Sequence, residues 1–173
     1  MTQARELATF ASGDFPAGHV IATYQSVKTG TQAIENAWEL IDDLTLTITP
    51  KLNPTKFLIT VMISQGSTGG SEGMRVAIYK GGSILTAATG NASSSRRRVF
   101  MHLGAQSSGS EMQTGTGVYL DSNSGTANVT YAIYAISHSN SGYPVYVNQS
   151  ESDSDNVNHS RTVSTLTIQE IVP

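Results

Sequence analysis

From residue 19 onward, apolar and polar residues alternate with a period of two. Val20-Ile21-Ala22-Thr23-Tyr24-Gln25 opens a strand, and Leu44-Thr45-Leu46-Thr47-Ile48-Thr49 alternates so strictly that Leu44, Leu46 and Ile48 must share one face. Pro50 and Asn53-Pro54 turn the chain. Residues 57–63 then read as a strand apolar on nearly both sides, with Phe57, Ile59, Val61 and Ile63 together, the pattern of a central strand. After a glycine-rich stretch, residues 74–80 lead into Gly81-Gly82, a hairpin signal, and residues 83–89 return. Further strands are expected over 97–103, 116–120, 128–136, 145–148 and 164–171, separated by clusters of Ser, Gly, Asn and Asp. Short strands at this spacing predict an all-β protein, an antiparallel β-sandwich or jelly roll.

Two segments depart from the period. Over 32–43, Ile34, Ala37, Trp38 and Ile41 fit a helix, while a strand would place Trp38 and Leu40 on one face; the strand is preferred because both neighbours read β. Residues 2–11 are the other. Thr2 can cap a short helix, Leu7 and Phe10 fall on one side of it, and Gly13 ends it. So short a helix does not hold together alone in water, so it is expected to dock on its own domain or on a partner. Pro16 and Gly18 separate it from the first strand, which divides the chain into a helical arm over 1–18 and one β-domain over 19–173.

Charge and composition narrow the function classes. The 173 residues carry 10 Lys and Arg against 13 Asp and Glu, a net charge of −3. No overall basic field gathers nucleic acid or an anionic membrane. Cysteine is absent, which removes disulfides, thiolate nucleophiles and Cys-based metal sites. Ser and Thr make up about a quarter of the chain, in keeping with the β reading. The N-terminus has no apolar run of signal-peptide length, and no stretch reaches a spanning helix, so a soluble protein is expected.

Among catalytic motifs, there is no Walker loop or H-E-x-x-H. His19, His102, His138 and His159 are scattered without ligand spacing, so neither enzyme activity nor a bound metal or cofactor is expected. Glu151-Ser152-Asp153-Ser154-Asp155-Asn156 is rich in the oxygens calcium favours, but lacks the glycine and distal glutamate of an EF-hand and is read as a solvated acidic loop. Arg96-Arg97-Arg98 is the one basic run. On a strand, Arg97 would point away from its neighbours. A subunit contact, a solvated strand end, and a nucleic-acid or glycan contact are all open readings, and Trp38 joins the arginines as an interface candidate. Four N-x-[ST] triplets, at Asn91, Asn128, Asn148 and Asn158, are expected by chance in so Ser- and Thr-rich a chain.

Phe15-Pro16-Ala17-Gly18-His19-Val20-Ile21, then Gln25-Ser26-Val27-Lys28-Thr29 and Leu46-Thr47-Ile48-Thr49-Pro50, resemble the start of a small β-domain of tailed bacteriophages, notably those of cyanobacteria and marine bacteria. Val147-Asn148-Gln149-Ser150-Glu151-Ser152-Asp153-Ser154-Asp155 and Ser164-Thr165-Leu166-Thr167-Ile168-Gln169-Glu170-Ile171 resemble its closing strands. The likeness covers roughly residues 15–172, on moderately specific motifs; Glu35, Trp38, Glu39, Asp42 and Asp43 depart from it, where the family tends to have Ser and Thr. It implies a homotrimer in the virion. A short arm before a compact domain suits a capsid cement or decoration protein on the capsid surface. The partner would then be the major capsid protein, gripped through Arg5, Leu7, Phe10 and Phe15. The alternative is the receptor-binding tip or adaptor of a tail fibre, for which Asn140-Ser141-Gly142-Tyr143-Pro144 is the candidate glycan loop.

Overall fold

The computed structural model describes residues 15–67, 73–137 and 143–173. The arm residues Arg5, Leu7 and Phe10, with the helix expected over 2–11, lie outside them. Eleven strands run in order: β1 (Val20–Lys28), β2 (Gln32–Ile34), β3 (Glu39–Ile48), β4 (Thr55–Gly66), β5 (Met74–Lys80), β6 (Ser83–Ile84), β7 (Met101–Leu103), β8 (Gln113–Asn123), β9 (Val129–Ser137), β10 (Val145–Val147) and β11 (Ser164–Ile171). They form two antiparallel sheets packed face to face, a β-sandwich.

The first sheet is built on β4. One edge of β4 pairs with β8 from Thr55 to Gln65; the other takes β11 and, beyond it, β10, which carries β2. The last strand, β11, lies between β4 and the first strand, β1. The second sheet runs β3-β9-β5, with β6 and β7 both on the far edge of β5.

The alternation in the sequence fills the space between the sheets. Phe57, Ile59, Val61 and Ile63 of β4 are fully buried, as are Leu44 and Ile48 of β3, while Thr45 and Thr47 face outward. Leu166 and Ile168 of β11 and Met74, Val76 and Ile78 of β5 close the same core. Each such side chain contributes roughly 1.5–3 kcal/mol on burial, so the core is the dominant support of the fold. Gly81 and Gly82 both have positive φ, 58° and 84°, and join Lys80 to Ser83 in the tight turn that only glycine adopts without strain.

Three expected elements differ. Residues 32–43 are strand, but as two pieces with a bend at 36–37, and β3 bulges between Leu40 and Thr45, where Asp43 has a φ of 67°. The return after Gly81-Gly82 stops at Ile84 and becomes a 3-10 turn, Thr86–Ala88. The strand expected over 97–103 begins only at Met101, because a turn holds the preceding loop: the Arg96 N–H donates to the Ser93 carbonyl, and Ser94 is left-handed with φ 49°.

Candidate functional site

Two outward faces carry side chains that the core does not use. The first belongs to the five-stranded sheet. The β5 alternation that buries Met74, Val76 and Ile78 turns Arg75, Ala77 and Tyr79 the other way. Tyr79 stacks on Tyr134 of β9, with ring centroids 3.9 Å apart, and Trp38 meets Tyr79 edge-on at 6.4 Å. Burial, and secondarily the neighbouring Tyr134, raise the Tyr79 phenol above its ordinary range. Trp38 is held there by the bend: the Glu35 N–H donates to Glu39 Oε1, Gln32 Nε2 donates to the Leu40 carbonyl, and the Asp42 N–H donates to Gln32 Oε1. Leu40 pairs with Tyr134, so Trp38 and Leu40 share one face, as the strand reading expects.

At the other end of the same strand, Arg75 is the register partner of His102 on β7. These two, with Ser95, Arg96, Arg97 and Val99, line a concavity of about 540 Å³. The sequence expectation that Arg97 points opposite to Arg96 and Arg98 is corrected, because it assumed a strand where the chain is a loop. Arg96 and Arg97 go to the concavity. Arg98 turns away as a staple, donating from Nε to the Gly90 carbonyl at 2.7 Å and from Nη2 to the Thr86 carbonyl at 3.3 Å.

The second face belongs to the six-stranded sheet, across β1, β11, β4 and β8. Register places Val27, Thr165, Met62 and Thr116 in one row, and Leu58 opposite Leu120 in another. Val118 is 58% exposed and Leu120 is 47% exposed. Lys56 is the one ionisable side chain at the outward positions of these four strands, since Lys28, Asp121 and Glu170 are buried. Among the described residues, β8 pairs only with β4, which leaves its other edge unpaired along an 11-residue strand. Inward, β8 is flat: a Cβ at Gly117 would come within 2.4 Å of the Phe100 ring, and one at Gly115 within 2.3 Å of Leu103. Glycine at these positions lets the segment carrying Phe100 and Leu103 cross β8 closely.

The remaining candidates lie elsewhere on the molecule. Phe15 stacks on His19 at 4.8 Å, beside Gly18, whose N–H donates to the Val172 carbonyl. In the acidic loop, both Asp153 oxygens accept from Arg161 Nη2, at 2.6 and 2.5 Å. Among the described residues, no three His, Asp or Glu side chains converge as metal ligands. Of the expected glycan loop, Asn140, Ser141 and Gly142 lie outside the described residues, and Tyr143 is 51% exposed.

Arg75, Tyr79 and Tyr134 are absent from the candidates that sequence reasoning raised, and His102 is weighed there only as a metal ligand. The alternation of β5 already put Arg75 and Tyr79 on one face; what sequence could not supply was the pairing that brings His102 and Tyr134 beside them.

No protein-family model matches the chain, and no curated protein matches it in sequence. Among solved structures it is similar to the C-terminal domain of EclA, a sugar-binding protein. Identity is 13%, over 90% of this chain and 85% of that one, with a TM-score of 0.35. At that level the likeness says nothing of what this chain binds.

Proposed function

We propose that this chain is a non-enzymatic structural protein of a tailed-phage particle, a homotrimer that decorates the head shell and cements the major capsid protein. The resemblance over residues 15–172 supports the phage setting. The observation that carries self-assembly is the outward face of the six-stranded sheet, with Val27, Leu58, Met62, Val118, Leu120 and Ile171 among threonines and a single lysine. Long unpaired strands without charge are templates for further association unless something covers them. A neighbouring copy of the same chain in a closed ring covers such a face without placing charge against charge. Four strands of this length present a face of roughly 20 by 25 Å, which with side-chain relief approaches the ~800 Å² per partner of a specific interface.

A tail-fibre tip is the second reading, favoured by the aromatic and arginine-lined face of the other sheet. Sedimentation velocity tests the assembly: a species three times the 18.3 kDa chain is expected, and Leu120→Lys should convert it to monomer with unchanged far-UV circular dichroism. A stable monomer of the unaltered chain overturns the reading. Cryo-microscopy of particles then separates shell from tail, by many copies over the head or a few at the fibre.

A further inference from the structure

We propose that the outward face of the five-stranded sheet is a binding site for an acidic saccharide, whose anionic group enters the arginine-lined concavity while a neighbouring sugar ring lies on the aromatic cluster. This goes beyond the assembly reading and does not depend on it, because the site is on the opposite side of the sandwich from the proposed subunit contact.

Charge is the first argument. Arg96 and Arg97 are exposed, and neither is paired with a carboxylate of the described residues. Together with Arg75 they bring three of the chain's 10 basic residues to one concavity, in a protein whose net charge is −3. Arg96 and Arg97, neither of them paired with a carboxylate, present two guanidinium charges to an anion in this concavity. Their planar forks suit carboxylate, sulfate and phosphate oxygens alike.

Size and surroundings select the ligand. About 540 Å³ lies within the range of small-molecule sites and accommodates a sugar bearing its charged group. The Ser95 hydroxyl adds a polar contact and Val99 an apolar wall. From Arg75 to Tyr79 along β5 is roughly 13 Å at the rise of a strand, about the length of two to three linked sugars. At that distance Tyr79, Tyr134 and Trp38 offer ring faces and edges to an apolar sugar surface. A nucleic acid is disfavoured because its backbone needs a continuous basic track, and here the arginines end where the aromatics begin.

Trp38 is the only tryptophan in the chain, so its fluorescence reports the site directly. The full chain is titrated in 150 mM NaCl with galacturonic acid, tetragalacturonic acid, glucose 6-sulfate, glucose 6-phosphate, neutral glucose, inorganic phosphate and a 12-nucleotide single-stranded DNA, followed by calorimetry and fluorescence. At least one charged sugar should bind, glucose should not, and which one binds identifies the anionic group. For a carboxylate, the tetramer should bind at least tenfold more tightly than the monomer. Trp38→Ala should remove that gain and leave monomer affinity unchanged.

Arg96→Ala with Arg97→Ala should weaken charged-sugar binding at least tenfold without altering sedimentation. Four results overturn the proposal: no charged sugar binds; glucose or inorganic phosphate binds as tightly as the charged sugars; the DNA binds more tightly than any of them; or the double arginine variant changes the oligomeric state. The last would assign these arginines to a subunit contact. Because Leu120→Lys leaves this face intact, sugar binding by that variant tells failure of the assembly reading apart from failure of this one.

Discussion

The Tyr131 hydroxyl donates to Asp121 Oδ2 across the interior, 2.5 Å from a strand of one sheet to a strand of the other. The same oxygen accepts from Lys80 Nζ at 2.7 Å, and the lysine lies 5.7 Å from the centre of the Tyr131 ring. Phe57 meets that ring edge-on at 5.8 Å. One carboxylate thus clamps the two sheets at the end of the core. Tyr131→Phe keeps the packing and removes one bond to a charged group, so a loss of about 1.5–3 kcal/mol is expected in urea denaturation. Asp121→Ala should lose more, since it leaves a buried phenol without its acceptor.

Alkaline pH should weaken the fold through the same residue. Burial first, then the bond to Asp121 and that carboxylate's charge, raise the Tyr131 phenol far above its usual value of 10.0. Burial, with Glu170 beside it, raises Tyr24 as well, and Tyr79 is raised too. In the unfolded chain these phenols ionise near 10, whereas folding raises each of them above that value. Their contribution is therefore fully present below pH 10 and is lost as pH climbs above it. Denaturation midpoints should be level from pH 7 to 9 and fall by pH 11, and Tyr131→Phe should flatten the fall.

On the acid side the effect is local. Glu111 is held below its usual value of 4.5, chiefly by the Ser107 hydroxyl at 2.9 Å and then by the Ser107 N–H at 3.1 Å, with the Ser108 N–H assisting. This contribution is present above about pH 4.5 and is lost as pH falls through the lowered value. Amide exchange at Ser107 and Ser108 should quicken there before the core opens, and Glu111→Gln should remove the pH dependence.

Asn148 should be among the most sensitive positions in the chain. It is fully buried with φ 62°, donates from Nδ2 to the Lys28 and Gly30 carbonyls at 2.8 and 3.0 Å, and accepts from Ser164 Oγ at 2.7 Å. Asn148→Ala removes three hydrogen bonds, two of them buried, and puts alanine in a left-handed conformation, so a loss of roughly 3–5 kcal/mol is expected in chemical denaturation. Asn148→Gly relaxes the backbone but not the lost bonds, and should recover only part of that loss.

Gly117→Ala tests the close crossing of β8. A methyl group there meets the far edge of the Phe100 ring, so the ring must turn or the segment carrying it must shift. Destabilisation of about 1–3 kcal/mol is expected, with a change in the concavity that Val99 and His102 help line. Its signature is a shift of the His102 ring resonances.

What sequence made legible was whatever rests on local period. Leu44, Leu46 and Ile48 share their face because a strand has no other way to place them, and the Gly81-Gly82 hairpin comes from two residues able to take positive φ. The strand expected from Arg97 begins only at Met101, because the loop is held by a left-handed Ser94 and by carbonyls of Thr86 and Gly90, which no period announces. Asn148 looked like one more chance sugar-attachment triplet. Its role depends on Lys28 and Gly30, about 120 residues away in the chain, and only the assembled sheet brings them together.

Pairing of β11 between β1 and β4 also orders events during synthesis. Val20 and Ile171 are register partners, so a ribosome must deliver everything from Val20 to Ile171 before the middle of the larger sheet has its last member. Until then β1 and β4 stand apart with complementary edges open, a gap that a strand from a neighbouring nascent copy could fill. Folding dominated by such distant partners is slow, on the order of milliseconds to seconds, and exposed to exchange of strands between chains. Release of residues 164–171 from the exit tunnel thus closes the larger sheet, and a ribosome stalled before that point holds a chain whose β1 and β4 are still unjoined.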